Sequence, residues 1–334
     1  MIALAGLGRM GGALAERMAA ADGELRLYDV AREPRERFAV EFGSLAEAAS
    51  GCELVLLCLP DASAVEAAVA DLLGAQPAPA LVVDLTSSVP EVTRRLAGVL
   101  GGRGIGMIDA PMSGGVAGAR EGRLTVMAGG PPQLLERARP VLSTFATRIF
   151  WAGEIGSGHA VKAINNTLSA VSLVATARAL KAAREPEEEA LAYFNGHRGR
   201  SQNSEVKFPR DILPRSFAAG FTIGLMRKDV GIALGMGANL PLTRATYDLL
   251  GRAGARLGEQ ADFTRIFETL EAAEPAPLEQ LDAGIYAACR AATLELIELA
   301  ASAGLDPGRT LEIVNASTGR SEATLEAARV AAWR

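Results

Sequence analysis

The stretch that decides the fold is Gly6-Leu7-Gly8-Arg9-Met10-Gly11, which directly follows the apolar run Ile2 to Ala5 and opens a helical pattern. Three glycines at this spacing, between a strand and a helix, permit a tight turn, close approach of a pyrophosphate and close helix packing. The free amides and the dipole at the helix N-terminus favour the phosphate charge. The segment therefore predicts a dinucleotide-binding domain of the Rossmann type.

An acidic residue follows the last of these glycines after 18 positions. Asp29 ends the next apolar run, where a carboxylate accepts both ribose hydroxyls of NAD and repels the extra phosphate of NADP. The sequence thus favours NAD, and NADP is the less favoured cofactor. Arg32 is the objection to this preference, because a guanidinium can bind a 2'-phosphate. Val30, directly after Asp29, supplies no such cation.

Short apolar runs alternate with alanine- and leucine-rich helical patterns over the first 150 residues. This alternation predicts an α/β, doubly wound, mostly parallel sheet. Ligands of such sheets bind beyond the carboxyl ends of the strands, so Leu59, Pro60 and Thr86, where the third and fourth runs end, are candidates to line the nicotinamide half of the site. The strand runs are Ile2 to Ala5, Leu25 to Tyr28, Leu54 to Leu59, Ala80 to Val83, Gly106 to Ile108, Leu124 to Ala128 and Arg148 to Trp151.

From about Gly156 onward the strand signal almost disappears, which predicts an all-helical second domain. We expect a Rossmann domain over residues 1–153, a helical substrate and dimerisation domain over 154–270, and an extra helical segment over 281–334. The alanine-, proline- and glutamate-rich stretch from Glu271 to Gln280 is interpreted as a linker.

The helical half contains a repeat at an offset of 120 residues, in which Leu191 to Ser201 recurs as Leu311 to Ser321. At this offset Lys162 corresponds to Asp282, and Asn166 to Tyr286. The pattern predicts a partial internal duplication, in which 281–334 is a degenerate repeat of 162–201 that lacks the chemistry of the first copy. A gap is expected near Pro186 and Pro307.

Composition excludes several classes of protein. A chain of 334 residues predicts two domains, and a net charge of −5 gives no electrostatic reason to bind nucleic acid or an acidic membrane. Three cysteines and two histidines, scattered along the sequence, predict neither a disulfide framework nor a metal site. The first residues lack the basic region of a signal peptide, and no apolar run reaches the length of a membrane span. We expect a cytoplasmic enzyme.

Four segments occur in the order typical of one enzyme family, and they cover roughly residues 1 to 270. On them the sequence resembles the β-hydroxyacid dehydrogenases, such as 3-hydroxyisobutyrate dehydrogenase, tartronate semialdehyde reductase and L-threonate dehydrogenase, within the 6-phosphogluconate dehydrogenase superfamily. The segments are Gly6 to Gly11, Asp109 to Gly115 (Asp-Ala-Pro-Met-Ser-Gly-Gly), Gly156 to Asn166 (Gly-Ser-Gly-His-Ala-Val-Lys-Ala-Ile-Asn-Asn) and Lys228-Asp229.

The resemblance implies hydride transfer between NAD and a small β-hydroxy acid of the 3-hydroxyisobutyrate, glycerate or threonate type. It implies that Lys162 is the general acid/base, that Asn166 binds the reacting substrate and that Lys228 lies near the cofactor. Ser113, Gly114 and Gly115 would hold the carboxylate of the small substrate. It also implies a homo-oligomer, a dimer or a tetramer.

The residue types support these roles independently. Two glycines beside a serine expose backbone amides and a hydroxyl suited to an anion, although a plain glycine turn has the same sequence. Lys162 and Asn166 are four residues apart on an apolar helix, so both side chains emerge on one face. A neutral Lys162 amine requires a pKa below the reference value of about 10.4, which burial and the positive nicotinamide ring favour. The alternatives are a surface lysine at 162 and an exposed Lys228–Asp229 ion pair.

The sequence departs from the family in two places. It continues for 64 residues past the usual end, and our hypothesis is that this part supplies helices that shorter relatives obtain from a partner subunit. In the first repeat, His197 and Arg198 replace small residues and either alter the pocket or face solvent. His159 is interpreted as structural. Two other functions compete: an imine reductase, a class that usually lacks the lysine, and a non-catalytic dinucleotide-binding oligomerisation module.

Overall fold

The computed structural model describes residues 1–20, 24–237, 239–271 and 274–331. The chain divides into two compact units, Met1–Lys162 and Ala163–Arg334. Two residues of the predicted linker, Ala272 and Ala273, and the last three of the predicted extra segment, 332–334, lie outside the described residues.

The first unit is built on an eight-stranded, mostly parallel sheet with the order β2-β1-β3-β4-β5-β7-β6, and β8 pairs with β7. This confirms the predicted doubly wound α/β class. The short β6 is not anticipated by any apolar run, and it pairs antiparallel with β7, as β5 does. The strands are β1 (Ile2–Ala5), β2 (Leu25–Tyr28), β3 (Leu54–Leu57), β4 (Leu81–Asp84), β5 (Gly106–Asp109), β6 (Met112–Ser113), β7 (Leu124–Gly129) and β8 (Ala146–Gly153).

Both faces of the central strands are buried, because helices cover the sheet on each side. In β3, Leu54 and Leu56 pack into one hydrophobic cluster, while Val55 and Leu57 pack into another. The two-residue period of a strand thus divides one apolar run between two cores. The helices of this unit are α1 (Arg9–Ala19), α2 (Arg32–Arg37), α3 (Leu45–Ala49), α4 (Ala62–Leu72), α5 (Pro90–Gly101), α6 (Gly115–Glu121) and α7 (Pro132–Leu142).

The strand order reverses direction at β1, which lies between β2 and β3. In open α/β sheets this switch point is where ligands bind, outside the carboxyl ends of the strands. The glycine turn after β1 and the Cys58–Pro60 segment after β3 therefore occupy the expected position for a cofactor.

The second unit is helical, as predicted. The long helix α8 (Ser157–Ala182) begins in the first unit and continues into the second. No helix among the described residues is long and apolar enough to cross a membrane. The further elements are α9 (Glu187–Gly196), a π-helix (Asn203–Ile212), α10 (Ile223–Met236), α11 (Pro241–Leu257), a short 3₁₀ turn (Phe263–Arg265), α12 (Ile266–Thr269), α13 (Leu278–Ser302), α14 (Pro307–Asn315) and α15 (Glu322–Ala331).

The two copies of the repeat form the same local structure. The side-chain amide of Asn195 donates to the Ser204 carbonyl, and that of Asn315 donates to the Thr324 carbonyl, both over 3.2 Å. Helices α8 and α13 end at Ala182 and Ser302, and α9 and α14 begin at Glu187 and Pro307. These boundaries preserve the offset of 120 residues, so the expected gap near Pro186 and Pro307 was wrong: both connections have the same length.

Candidate active site

The turn after β1 forms a cradle in which Gly6, Gly8 and Gly11 are each glycine for a different physical reason. Gly6 has φ +91° and lies against the Cys58 carbonyl, so a Cβ there would be both strained and blocked. A Cβ on Gly11 would collide with the Gly6 carbonyl oxygen, because α1 packs directly against the turn. A Cβ on Gly8 would instead meet nothing within 4 Å. The open side of the cradle is therefore at Gly8, the N-cap of α1.

These residues fit the phosphates of a dinucleotide. The N-cap residue of α1 is a glycine, so no N-cap side chain accepts from the amides of the first turn. Arg9 and Gly8 are exposed, Met10 is half-buried and Leu7 is buried. Backbone donors at an uncapped helix start, beside open space, form a ready site for an anion.

Asp29, directly after β2, is tied to this cradle. Its Oδ2 accepts the Leu7 backbone N–H over 2.6 Å, and its Oδ1 accepts the Ala31 N–H over 2.7 Å. Arg32 pairs with Glu36 over 2.6 Å, and its side chain is 90% exposed. The structure therefore places a carboxylate against the glycine turn, and Arg32 forms an exposed ion pair with Glu36.

The segments after β3 and β4 are joined to each other. Thr86 is buried, and its Oγ1 accepts the Leu59 backbone N–H over 3.1 Å. The Thr86 backbone N–H in turn donates to Asp84 Oδ1 over 3.0 Å. Leu59 is half-buried and Pro60 is exposed. The three predicted residues Leu59, Pro60 and Thr86 thus lie together at the carboxyl edge of the sheet.

The predicted carboxylate clamp follows β5. Ser113 is buried at the end of β6, and Gly114 and Gly115 are exposed with φ values of +128° and +69°. The backbone conformation of Gly114 favours glycine, and a Cβ there would also press on the end of the Leu124 side chain, 2.9 Å away. Two exposed glycines next to a serine, with left-handed backbone at both, suit the binding of an anion by backbone amides.

Asp109, at the end of β5, holds the start of the helix that carries Lys162. Its Oδ1 accepts the Gly156 N–H over 2.7 Å, and its Oδ2 accepts the His159 N–H over 2.8 Å. Asp109 is fully buried. One carboxylate therefore links the strand that leads into Ser113 to the first turn of α8.

His159 lies in that same first turn, and its side chain is buried. Its Nδ1 is hydrogen-bonded to Thr93 Oγ1 over 2.8 Å, and its Nε2 lies 3.8 Å from Asp84 Oδ2. Burial raises the pKa of Asp84 above its ordinary value, and His159 opposes this rise. The sequence indicated a structural His159, but it gave no sign of the partners Thr93, Asp84 and Asp109.

Lys162 and Asn166 lie one turn apart on α8, and they are 8% and 4% exposed. The interpretation of Lys162 as a surface lysine is therefore wrong. The Asn166 Nδ2 donates to Asp229 Oδ2 over 2.6 Å, and Asp229 is fully buried on α10. Lys228 Nζ lies 3.4 Å from Asp229 Oδ1, so the ion pair exists but only its lysine reaches solvent.

A dinucleotide cradle on an α/β unit, followed by a helix that buries a lysine and an asparagine on one face, defines a nicotinamide-dependent oxidoreductase. Comparison with known protein families shows which oxidoreductases the chain is similar to. The NAD binding domain of 6-phosphogluconate dehydrogenase matches residues 1–153, and the NAD-binding domain of NADP-dependent 3-hydroxyisobutyrate dehydrogenase matches residues 156–270. The chain belongs to the 3-hydroxyisobutyrate dehydrogenase family of NAD(P)-dependent β-hydroxyacid dehydrogenases, which confirms the resemblance.

Individual relatives agree with this family. The chain is 33% identical to 3-hydroxyisobutyrate dehydrogenase of Pseudomonas aeruginosa, over 78% of this chain and 93% of that protein. The solved 3-hydroxyisobutyrate dehydrogenase of Mycobacterium tuberculosis with L-serine has a TM-score of 0.75 and 30% identity, over 81% of this chain and 99% of that one. Plasmodium falciparum 6-phosphogluconate dehydrogenase shares the fold over 98% of this chain and 80% of its own, with a TM-score of 0.73 and 15% identity.

The sequence missed the residues that hold the catalytic candidates in place. The Lys228-Asp229 pair indicates only an ion pair, and Asn165 has no role in the family resemblance. Asn165 is fully buried, and its amide bonds Asn166, Thr318 and Gly319. The doubled Asn165-Asn166 was the one available signal, because two adjacent amides on an apolar helix require buried partners.

Proposed function

We propose that the chain transfers hydride between NAD and a small β-hydroxy acid, with Lys162 as general acid/base. The observation that carries this proposal is the burial of Lys162 and Asn166 one turn apart on α8, with the Asn166 amide bound to Asp229. A lysine and an oriented amide on one helix face can address the same hydroxyl or carbonyl group.

Each residue has a defined task in this proposal. Ser113 and the amides of Gly114 and Gly115 bind the substrate carboxylate, which fixes the orientation of the substrate. Asn166 binds the reacting oxygen, and Lys228 lies by the cofactor. In the oxidative direction the neutral Lys162 amine takes the hydroxyl proton; in the reductive direction its ammonium returns a proton to the carbonyl oxygen. The nicotinamide ring, when bound, exchanges the hydride with the substrate carbon.

NAD is the proposed cofactor. Gly6 to Gly11 would hold the pyrophosphate, and Asp29 would bind the adenosine ribose. The carboxylate of Asp29 disfavours a 2'-phosphate by charge repulsion, and Arg32 already pairs with Glu36. Leu59, Pro60 and Thr86 would line the nicotinamide side.

The proposed substrates are 3-hydroxy acids. 3-Hydroxyisobutyrate and L-serine, which the names of two relatives mention, both carry a carboxylate and a hydroxymethyl group on the same carbon. A clamp for the carboxylate beside an acid/base for the hydroxyl suits this shared chemistry. Glycerate and threonate are also candidate substrates and belong in the same assay. The homo-oligomer, a dimer or a tetramer, is part of the proposal, and sedimentation of the full chain measures it.

The test follows the reduced-nicotinamide absorbance with NAD or NADP and a panel of 3-hydroxyisobutyrate, L-serine, glycerate and threonate. Lys162→Ala is compared with Lys181→Ala, a matched change on the same helix whose lysine lies 5.0 Å from the centre of the Phe267 ring. We expect turnover with NAD in the wild type and in Lys181→Ala, and its loss in Lys162→Ala.

Three results would contradict the proposal. Full turnover by Lys162→Ala would remove the lysine from the chemistry. Bound NAD without turnover on any member of the panel would instead favour a non-catalytic module or another substrate, and reduction of an imine in the same assay would identify imine reductase chemistry.

A further inference from the structure

Asn165 is the point at which the second copy of the repeat contacts helix α8. The backbone N–H of Gly319 donates to Asn165 Oδ1 over 2.8 Å, and Asn165 Nδ2 donates to Thr318 Oγ1 over 2.9 Å. The same Nδ2 also donates to Asn166 Oδ1 over 3.0 Å. Asn165 therefore uses both amide hydrogens and its oxygen, and it is fully buried while doing so.

The order of donors and acceptors fixes the orientation of both amides. A backbone N–H can only donate, so Gly319 requires that the oxygen of Asn165 faces it. The Asn165 nitrogen must then face Asn166, which turns the Asn166 oxygen toward Asn165. At the other end Asp229 Oδ2 accepts from Asn166 Nδ2 over 2.6 Å, and a carboxylate can only accept. Reversing either amide would bring two like groups together at both of its ends.

The second copy reaches Asn165 through a local two-fold arrangement. Ser201 and Ser321 face each other in an antiparallel bridge. The Gln202 N–H donates to the Arg320 carbonyl over 2.9 Å, and the Glu322 N–H donates to the Arg200 carbonyl over 3.0 Å. Gln202 and Glu322 are 120 residues apart, as are Arg200 and Arg320, so each of the two bonds is the equivalent of the other in the repeat. Such reciprocal bonds are typical of an isologous contact between equivalent elements.

The equivalent contact of the first copy, made by Gly199 with helix α13, involves a different side chain. There the Gly199 N–H donates to Asp282 Oδ1 over 2.8 Å. Asp282 occupies the position of Lys162 in the second copy, and Ile285 occupies that of Asn165. The second copy has thus lost the lysine and both asparagines, and one carboxylate there binds the glycine loop. The loop geometry is kept on both sides, but only one side lies against a catalytic candidate.

We propose that Thr318 and Gly319 are positioning residues for the active site, supplied by the second copy within the same chain. They hold Asn165, and Asn165 orients the Asn166 amide for the substrate oxygen. The inference rests on the proposed role of Asn166. The two family matches cover residues 1–153 and 156–270, so this element belongs to the part of the chain that the family domains do not include.

The test compares two glycines that make equivalent contacts. A Cβ on Gly319 would lie 2.8 Å from the Asn165 carbonyl oxygen, and a Cβ on Gly199 would lie 2.8 Å from Asp282 Oδ1. Gly319→Ala and Gly199→Ala therefore add a methyl group at equivalent loop positions, the first against the backbone of Asn165 and the second against the side chain of Asp282. Thr318→Val, which keeps the shape of the side chain and removes its hydroxyl, is the milder variant should Gly319→Ala fail to fold.

The first readout is kinetic. Loss of one buried hydrogen bond is worth about a factor of ten, so we expect the substrate KM to rise about tenfold in Gly319→Ala and Thr318→Val. The KM for NAD should be unchanged, and Gly199→Ala should keep the wild-type substrate KM. An equal rise of the substrate KM in Gly319→Ala and Gly199→Ala, or no rise in Thr318→Val, would overturn the inference.

The second readout does not depend on turnover. In protein labelled with ¹⁵N-asparagine, the side-chain amide signals of Asn165 and Asn166 are assigned with Asn165→Asp and Asn166→Asp. We expect both amide signals to shift in Gly319→Ala and Thr318→Val and to stay in place in Gly199→Ala. Should the wild type turn over no member of the panel, the proposed function fails, and these signals alone decide whether the second copy orients Asn166. Unmoved Asn166 signals in Thr318→Val would overturn the inference.

Discussion

The backbone N–H of Leu7 donates to Asp29 Oδ2 over 2.6 Å, across 22 positions of sequence. The glycine turn, proposed to bind the phosphates, and Asp29, proposed to bind the ribose, are therefore joined directly by a hydrogen bond. A change at Asp29 alters both its charge and its bond to the turn.

Asp29→Asn should reduce the preference for NAD over NADP. The substitution removes the charge that repels a 2'-phosphate and keeps one oxygen for the Leu7 N–H, while its –NH2 group faces the Ala31 N–H and loses that bond. We expect the ratio of kcat/KM values for NAD and NADP to fall by about tenfold or more, which is about 1.4 kcal/mol. Arg32→Ala is the control, because Arg32 pairs with Glu36 and should leave the NAD value unchanged. A constant ratio in Asp29→Asn would show that another residue selects the cofactor.

Two glycines of the turn should respond differently to alanine. Gly8→Ala meets no neighbour within 4 Å, so the melting temperature should stay near that of the wild type while NAD affinity falls. Gly11→Ala meets the Gly6 carbonyl and should lose about 2 kcal/mol or more of folding stability. Calorimetric titration with NAD and thermal unfolding measure the two effects. Unchanged NAD affinity in Gly8→Ala would place the phosphate elsewhere.

Asp109→Asn should destabilise the start of α8. The carboxylate accepts one buried N–H on each oxygen, and an amide can accept only one of them and opposes a donor with the other end. We expect a loss of about 2 to 3 kcal/mol in the free energy of unfolding, measured with urea. A loss below about 0.5 kcal/mol, the range of ordinary surface changes, would contradict this role.

Asp84 should make stability depend on pH. Burial raises its pKa in the folded protein, so the folded state binds this proton more tightly than the unfolded chain does. Stability from this group is present at low pH and is lost as pH rises from the unfolded value of about 4 through the folded value. Asp84→Asn lacks this loss, so its melting temperature relative to wild type should increase over that interval and then level off. A difference that does not vary with pH would refute this.

The thiols should be unreactive in the native protein. Burial raises the pKa of Cys58 and of Cys289 to about 12, and it also raises that of Cys52. Because the thiolate is the nucleophile, we expect a chromogenic thiol reagent near pH 8 to react slowly with the folded chain. In denaturant all three cysteines should react at once. Rapid stoichiometric reaction of one native thiol would point to an exposed cysteine.

Much of the fold could be predicted because its signals are local. The limits of β1 and β2 agree with the apolar runs, and α8 begins at Ser157, where the strand signal disappears from the sequence. β6 was not predicted because its two residues, Met112 and Ser113, are too few to show an alternating hydrophobic pattern. The sequence did not predict that the α8–α9 and α13–α14 connections have equal length. Pro186 and Asp306 occupy equivalent positions and are both N-caps, but they are different residue types.

The sequence by itself determined the dinucleotide-binding class, the family and the positions of Lys162 and Asn166, because glycine spacing and helical spacing are set by neighbouring residues. Only the tertiary structure decided what holds these residues. Asp229 is 63 positions from Asn166, and Gly319 is 154 positions from Asn165. No local pattern records such pairs, since a buried amide is satisfied by whichever donor or acceptor the folded chain brings to it.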